Sequence, residues 1–284
     1  MLTHDQLPAS AICLNSNSYH GFGLADALEG ANLAGIRYME VSAVRDWTDH
    51  VNPDLNGDAL ADVRAMFHAA EVTPLALGGH SNLTTAEGRA AFQANLELAA
   101  RLGARYVVTG TGETHGDESE IADEAAFCAE LGPLLDHAAS LGLGVGVETH
   151  GANYATGRQV AQLVRQLDRR NVGVVYDTGN VIFYAGVQPY DDLEDCADAV
   201  LAFHLKDKSG VQSEWNFPAV GDGDLDLPRL GSILTRTGCS APLSIEIEFT
   251  PDGPADVNDV HRAVARSARA VRERLLPAVM KEGE

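Results

Sequence analysis

Hydrophobic and polar positions along the chain follow two rhythms. Short runs rich in Val, Ile and Leu, in which residues two apart share a face, are separated by longer stretches whose apolar residues recur three or four apart. The runs predict strands at residues 11–15, 37–41, 73–77, 106–109, 144–148, 172–177, 200–204 and 243–247. Between them, residues 85–102 carry Phe92, Leu96 and Ala99 on one helical stripe, and 118–141 is also amphipathic, with a break predicted at Gly132-Pro133. Thr84 with Glu87 three residues on has capping-box spacing, and Gly103 and Gly142 each follow a helical pattern as a left-handed stop. No linker-like composition interrupts the series. Eight strand–helix units in roughly 250 residues predict a (β/α)8 TIM barrel, α/β in class, as one domain over residues 1–284. A doubly wound open sheet shares the alternation, and the placement of polar residues decides between the two.

Composition narrows the function. Of 284 residues, 45% are hydrophobic and only 11 are proline, which suits a globular chain with a sizeable core. The formal charge of −21 is spread along the chain and would repel phosphate backbones, so neither nucleic acid nor an anionic membrane is expected as a partner. The opening MLTHDQLPAS lacks the features of a signal peptide, and no later run has the apolar length of a membrane span. Cys13, Cys128, Cys196 and Cys239 stand far apart, as reduced structural cysteines of a cytoplasmic protein would.

The chemistry lies at the strand ends. In 144–148 the valines share one face and Glu148 shares the other with two glycines. In 172–177, Val172, Val174 and Tyr176 oppose Gly173, Val175 and Asp177. In 200–204, Leu201 and Phe203 oppose Val200, Ala202 and His204, and in 243–247 Leu243, Ile245 and Ile247 oppose Ser244 and Glu246. If bulky faces pack on outer helices and small ones line a barrel, Glu148, Asp177, His204 and Glu246 converge at its C-terminal mouth, where barrel enzymes keep their chemistry. Three carboxylates so close require a cation. Singly each has an ordinary alternative: Asp177 as a turn or cap, His204 as a core histidine, Glu246 as half of an ion pair. Glu248 shares the face of Glu246 and is a rival ligand. One divalent ion is expected, Mn2+ first, with Mg2+, Co2+ or Zn2+ as alternatives, since carboxylate oxygens and one imidazole suit a hard or borderline metal.

The segments Val-Glu-Thr-His (147–150), Tyr-Asp-Thr-Gly-Asn (176–180), Phe-His-Leu-Lys-Asp (203–207) and Ser-Ile-Glu-Ile-Glu (244–248) resemble motifs of the xylose isomerase-like barrel superfamily of sugar isomerases and epimerases. Gly-Ile-Arg-Tyr-Met-Glu (35–40) and Gly-Gly-His-Ser-Asn-Leu (78–83) fit its second and third strands. The resemblance implies a ketose epimerase-like mononuclear site on Glu148, Asp177, His204 and Glu246, and it selects Glu246 over Glu248. Two departures stand out: Asn180 occupies a position where many relatives have histidine, and Lys206-Asp207-Lys208 replaces a region where ketose 3-epimerases carry a substrate-holding arginine.

The expected partner is a small carbohydrate. His80, His150, Asn180, Lys206, Glu40 and Trp215 are its candidate contacts, Trp215 with Phe217 forming a lid or pocket wall. Glu148 and Glu246, three strands apart around the ring, are the candidate acid/base pair, one on each face of the substrate. The acidic Gly221–Asp226 stretch reads as a turn and cap rather than a phosphate cradle. The leading expectation is a metal-dependent sugar isomerase or epimerase acting through an enediolate. A dehydratase or lyase for keto-cyclitols or keto-glycosides on the same metal is the first alternative. An apurinic endonuclease and a non-catalytic sugar-binding subunit rank behind, and a homo-oligomer is an analogy-based expectation.

Overall fold

The structure, a computed structural model, describes residues 7–114, 117–118 and 121–277. Eight parallel strands close into a barrel: β1 (Ile12–Asn15), β2 (Tyr38–Ser42), β3 (Thr73–Gly78), β4 (Tyr106–Thr109), β5 (Gly144–Glu148), β6 (Val172–Asp177), β7 (Val200–Leu205) and β8 (Leu243–Ile245). Each pairs with its sequence neighbours, and β8 pairs with β1. Helices α1 (Leu24–Leu33), α2 (Gly57–Ala69), α3 (Ala86–Leu102), α4 (Glu124–Ser140), α5 (Gly157–Leu167), α6 (Asn180–Ala185), α7 (Leu227–Thr237) and α8 (Val257–Ala270) follow the strands in turn. The barrel, not the open sheet, is therefore the architecture. Among the described residues no helix is long and apolar enough to cross a membrane.

Two cores result from strand alternation. Outward residues such as Val145, Val147, Val174, Tyr176 and Phe203 pack beneath the helices, while Cys13, Leu75, Tyr106, Val175 and Leu201 fill the barrel. Leu201 corrects the sequence expectation, which turned it outward and Val200 inward. The β6–β7 register jumps from Val174↔Val200 to Val175↔Ala202, so Leu201 is the extra residue of a bulge. Its space is kept by Gly173, where a Cβ would lie 2.7 Å from Leu201 Cβ, and Gly146 makes room in the same way for Val175, whose Cγ2 would lie 2.3 Å from a Cβ there. Alternation recovers before Phe203 and His204, so the bulge leaves the strand end unchanged.

Three helix expectations also change. α4 begins at Glu124, capped by Asp123, and not at Glu118, which pairs instead in a two-residue antiparallel hairpin with Glu113. It also runs through Pro133 without a break. An interior proline costs about 3 kcal/mol, but Leu131, Leu134 and Leu135 are buried in the outer core, and each contributes roughly 1.5–3 kcal/mol, which outweighs it. α3 is capped by Thr85, whose Oγ1 accepts from Gly88 N at 3.0 Å, rather than by Thr84, whose hydroxyl turns to Asn82 Oδ1. Gly103 and Gly142 do adopt the left-handed backbone, at φ 81° and 76°.

Candidate metal centre

The last residues of β5 and β6, the penultimate one of β7 and the residue just past β8 point into the mouth. Glu148, Asp177, His204 and Glu246 are all buried, and each offers a ligand-type atom within 4.8 Å of the others. His204 Nδ1 lies 2.6 Å from Glu148 Oε1, 3.5 Å from Glu246 Oε2 and 4.0 Å from Asp177 Oδ2. Its Nε2 faces away, 2.9 and 3.0 Å from the two oxygens of Glu40. Nδ1 is thus the nitrogen turned to the cluster, and Nε2–H the proton that Glu40 holds. This carboxylate–imidazole pairing is the usual way to fix the tautomer of a metal-binding histidine.

The charge balance explains what the cluster needs. Four buried carboxyls, with Glu248 at the rim, face His204 and Lys206 as buried basic partners, and His80 reaches Glu148 at 3.3 Å. Burial works against ionisation of Glu148, but the adjacent His204 outweighs it and holds the carboxyl well below its usual range. Burial pushes Asp177 well up, Lys206 opposes, and Glu148 and Glu246 add to the rise. Burial disfavours the His204 cation, yet Glu40, Glu148 and Glu246 together hold it well up. Glu248 is pushed up to about 7, by burial first, against the pull of Lys206. The set therefore carries more negative charge than its own cations compensate. Asp177 Oδ2 and Glu246 Oε2, both enclosed, have Lys206 Nζ at 3.0 Å as an ionic partner but no hydrogen bond of good geometry. Asp177 Oδ1 accepts from Gly179 N and Asn180 N at 2.8 Å each, so the turn orients Oδ2 toward the cluster. Oriented carboxylate oxygens opposite an imidazole nitrogen fit a divalent ion.

The other sequence candidates divide. Lys206 is buried, with Nζ 3.0 Å from Asp177 Oδ2 and Glu246 Oε2 and 3.3 Å from Glu248 Oε2. It does not pair with Asp207, whose carboxylate accepts from the backbone N–H groups of Lys208, Gly221, Gly223 and Leu225. The Gly221–Asp226 stretch is thereby closed on an internal anion, and Asp226 caps α7 as the pattern predicted. His80 accepts from Gly110 N through Nδ1 at 3.2 Å, which leaves the proton on Nε2, 3.3 Å from Glu148 Oε2. His150 meets the Tyr184 hydroxyl at 3.3 Å, and Asn180 spans Glu148 and Lys206 at 3.5 and 3.3 Å. All of these, with Glu40 and Trp215, line one cavity over the cluster. Phe217 does not: it is 1% exposed and packs behind Trp215, so it is core and not lid.

Sequence reasoning missed Asn15, Asn17, Trp47 and Tyr184. Asn15 and Asn17 donate to Glu246 Oε1 at 3.1 and 3.0 Å, and Asn17 also reaches Glu248 Oε1 at 3.3 Å. Asn15 ends β1, so strand-end position was the available signal; Trp47 sits in a loop, and Tyr184 in the six-residue helix α6.

The chain belongs to the xylose isomerase-like TIM barrel family, which it matches over residues 28–273. It is 28% identical over 217 residues to the rhizopine catabolism protein MocC of Rhizobium meliloti, a match covering 65% of this chain and 65% of that protein's length. Similar solved structures include an L-ribulose 3-epimerase (TM-score 0.76, 16% identity, 96% of this chain and 97% of the other). Another is the IOLI protein with a binding zinc atom (TM-score 0.75, 21% identity, 95% and 98%). At these identities the structural likeness establishes the fold.

Proposed function

We propose that this xylose isomerase-like barrel is a divalent-metal-dependent isomerase or epimerase of a small ketose or related polyhydroxy carbonyl compound. The observation that carries the reading is the enclosed Glu148–Asp177–His204–Glu246 cluster, whose ligand-type atoms lie within 4.8 Å of one another beneath the mouth cavity that Glu148 and Glu246 line. The four side chains would hold the ion, with Mn2+ the first choice for this oxygen-rich set. When bound, it would stabilise negative charge developing on substrate oxygens.

The protein groups divide the remaining work. Glu148 and Glu246 come from β5 and β8, so a substrate above the cluster has one carboxylate toward each side, as proton removal from one face and return to the other requires. Asp177, tied down by two backbone N–H groups, and His204, oriented by Glu40, hold rather than move. His80, Asn180 and Asn15 orient the two glutamates. Names of similar proteins, an epimerase and a catabolic protein, accord with chemistry on a small carbohydrate.

A second reading follows from Lys206, a buried ammonium beside Asp177 and Glu246. There it can protonate a departing hydroxyl or alkoxide, making the reaction an elimination. Incubation of metal-loaded protein in D2O with a panel of keto sugars tests both. Deuterium at the carbon beside the carbonyl, lost in Glu148→Gln or Glu246→Gln with metal retained, is the expected result. No exchange in any keto sugar would overturn the reading. Lys206→Met that removes elimination but spares exchange would favour the lyase.

A further inference from the structure

The proposed reaction uses only part of the mouth. The free space directly over the cluster is about 50 Å³, and since one water needs roughly 10–15 Å³ of such space, it takes only a few groups: a carbonyl, the adjacent hydroxyl and their carbons. A cleft of about 430 Å³ opens beside it, with Asn17, Trp47, Trp215 and Glu248 as shared walls. Its own lining adds the polar Ser18, His20 and Thr250 and the apolar Phe249, Pro251 and Pro254.

The aromatic walls are built in advance. Trp47 stacks on His20 at 4.4 Å between ring centroids, and its Nε1–H donates to Asn17 Oδ1 at 3.1 Å. Trp215 is wedged edge-on between Phe183 and Phe217, at 5.8 and 5.2 Å. Rings already held in place lose little freedom when a ligand arrives. A free open-chain ketose could pair hydroxyls with Asn17 or Glu248, but those laid on the indole faces themselves would lose water without gaining a partner. The C–H face of a second ring, or an alkyl or aryl group, would bury the same area favourably.

Resting on the isomerase or lyase reading, we infer that this cleft is a subsite for an apolar or ring substituent. The substrate class is then an O-substituted keto sugar or keto-cyclitol, a glycoside or ether, and not the bare ketose. The chain's 2 tryptophans both line the cleft, so their emission reports occupancy without turnover.

The test titrates metal-loaded protein with D-glucose, methyl β-D-glucopyranoside and phenyl β-D-glucopyranoside. Phenyl glucoside is expected to shift tryptophan emission and to bind at least about tenfold more tightly than glucose, close to 1.4 kcal/mol. By calorimetry, Trp47→Ala and Trp215→Ala should each cost about tenfold for the phenyl glucoside, while Trp47→Phe and Trp215→Phe, which keep a ring, should retain most of the affinity. Equal affinity for glucose and phenyl glucoside, or alanine variants that bind as the parent does, would overturn the subsite, even with deuterium exchange into free ketoses intact. Tryptophan-dependent binding of phenyl glucoside without exchange in any keto sugar would uphold the subsite and overturn the reading beneath it.

Discussion

The two halves of the barrel mouth are built from different chemistry. Strands β5 to β8 deliver Glu148, Asp177, His204 and Glu246, all capable of binding an ion. Strands β1 to β4 end instead in Asn15, Ser42, Gly78 and Thr109, with Glu40 the one acid among them, set two residues back. Yet the first half touches the second at almost every member: Asn15 and Asn17 on Glu246, Glu40 on His204, His80 on Glu148. Asp177 is served from its own turn. One half supplies the charge and the other aims it, which is how outer partners tune a metal site. The division also assigns a size to each contribution. Removing a ligand should delete the site, whereas removing an orienting group should leave it bound but misaligned.

The largest effect is expected from the charged half. His204→Ala and Asp177→Ala should lower metal affinity beyond the roughly 100-fold that marks loss of an outer partner, so that elemental analysis of purified protein finds little metal. Far-ultraviolet circular dichroism should remain unchanged, because mouth residues are not part of the packed barrel layers. The comparison breaks if these variants keep a full complement of metal.

The same asymmetry governs what could be read in advance. The charged half was legible because alternation in a buried strand fixes each side chain's face, and an acid or histidine among glycines and valines stands out against it. All eight strands were placed within about two residues. The misplaced features depended on tertiary packing. Leu201 turns inward because Gly173 on the neighbouring strand leaves a hole for it, and Pro133 stays helical because three leucines around it are buried. The orienting half was largely silent for another reason. Asn15 and Asn17 have no apolar rhythm, and Trp47 reaches the site from a loop, so only the folded barrel shows what they touch.

Within the orienting half, Glu40 should matter most. It holds His204 Nε2–H with both oxygens, so Glu40→Ala should weaken metal binding about 10- to 100-fold. Glu40→Gln keeps an acceptor for the same proton and should fall well short of that loss. A competition titration with a chelating indicator would rank the three proteins, and a glutamine variant as damaged as the alanine one would mean that the charge of Glu40, not its acceptor, is what His204 requires.

His80 should come next. With Nδ1 occupied by Gly110 N, its Nε2–H can only face Glu148, and it fixes where that carboxylate points without holding the ion. His80→Ala is expected to slow deuterium exchange about tenfold, in the range of general acid–base misalignment, at nearly full metal content. Parallel loss of metal and exchange would place His80 among the ligands and erase the boundary between the halves.

The smallest effect is expected from Asn17, and its sign can be argued atom by atom. Trp47 Nε1–H and the Thr48 hydroxyl donate to Oδ1 at 3.1 and 2.7 Å, which forces the amide nitrogen toward Glu246 and Glu248. Asn17 therefore clips the Trp47 loop to the end of β8 through donors that water can partly replace in a half-buried position. A net hydrogen bond of about 1 kcal/mol converts to roughly fivefold, and Asn17→Ala should weaken metal binding by about that much. Asn17→Asp is the sharper variant. It preserves both acceptor contacts, so the loop stays in place, but it sets a carboxylate oxygen against Glu246 and Glu248 where a donor stood. Repulsion between like charges in a partly buried site should then make the isosteric change worse than the truncation. If aspartate is instead tolerated better than alanine, Asn17 acts only by holding Trp47, and the orienting role of the first half does not extend to the loop after β1.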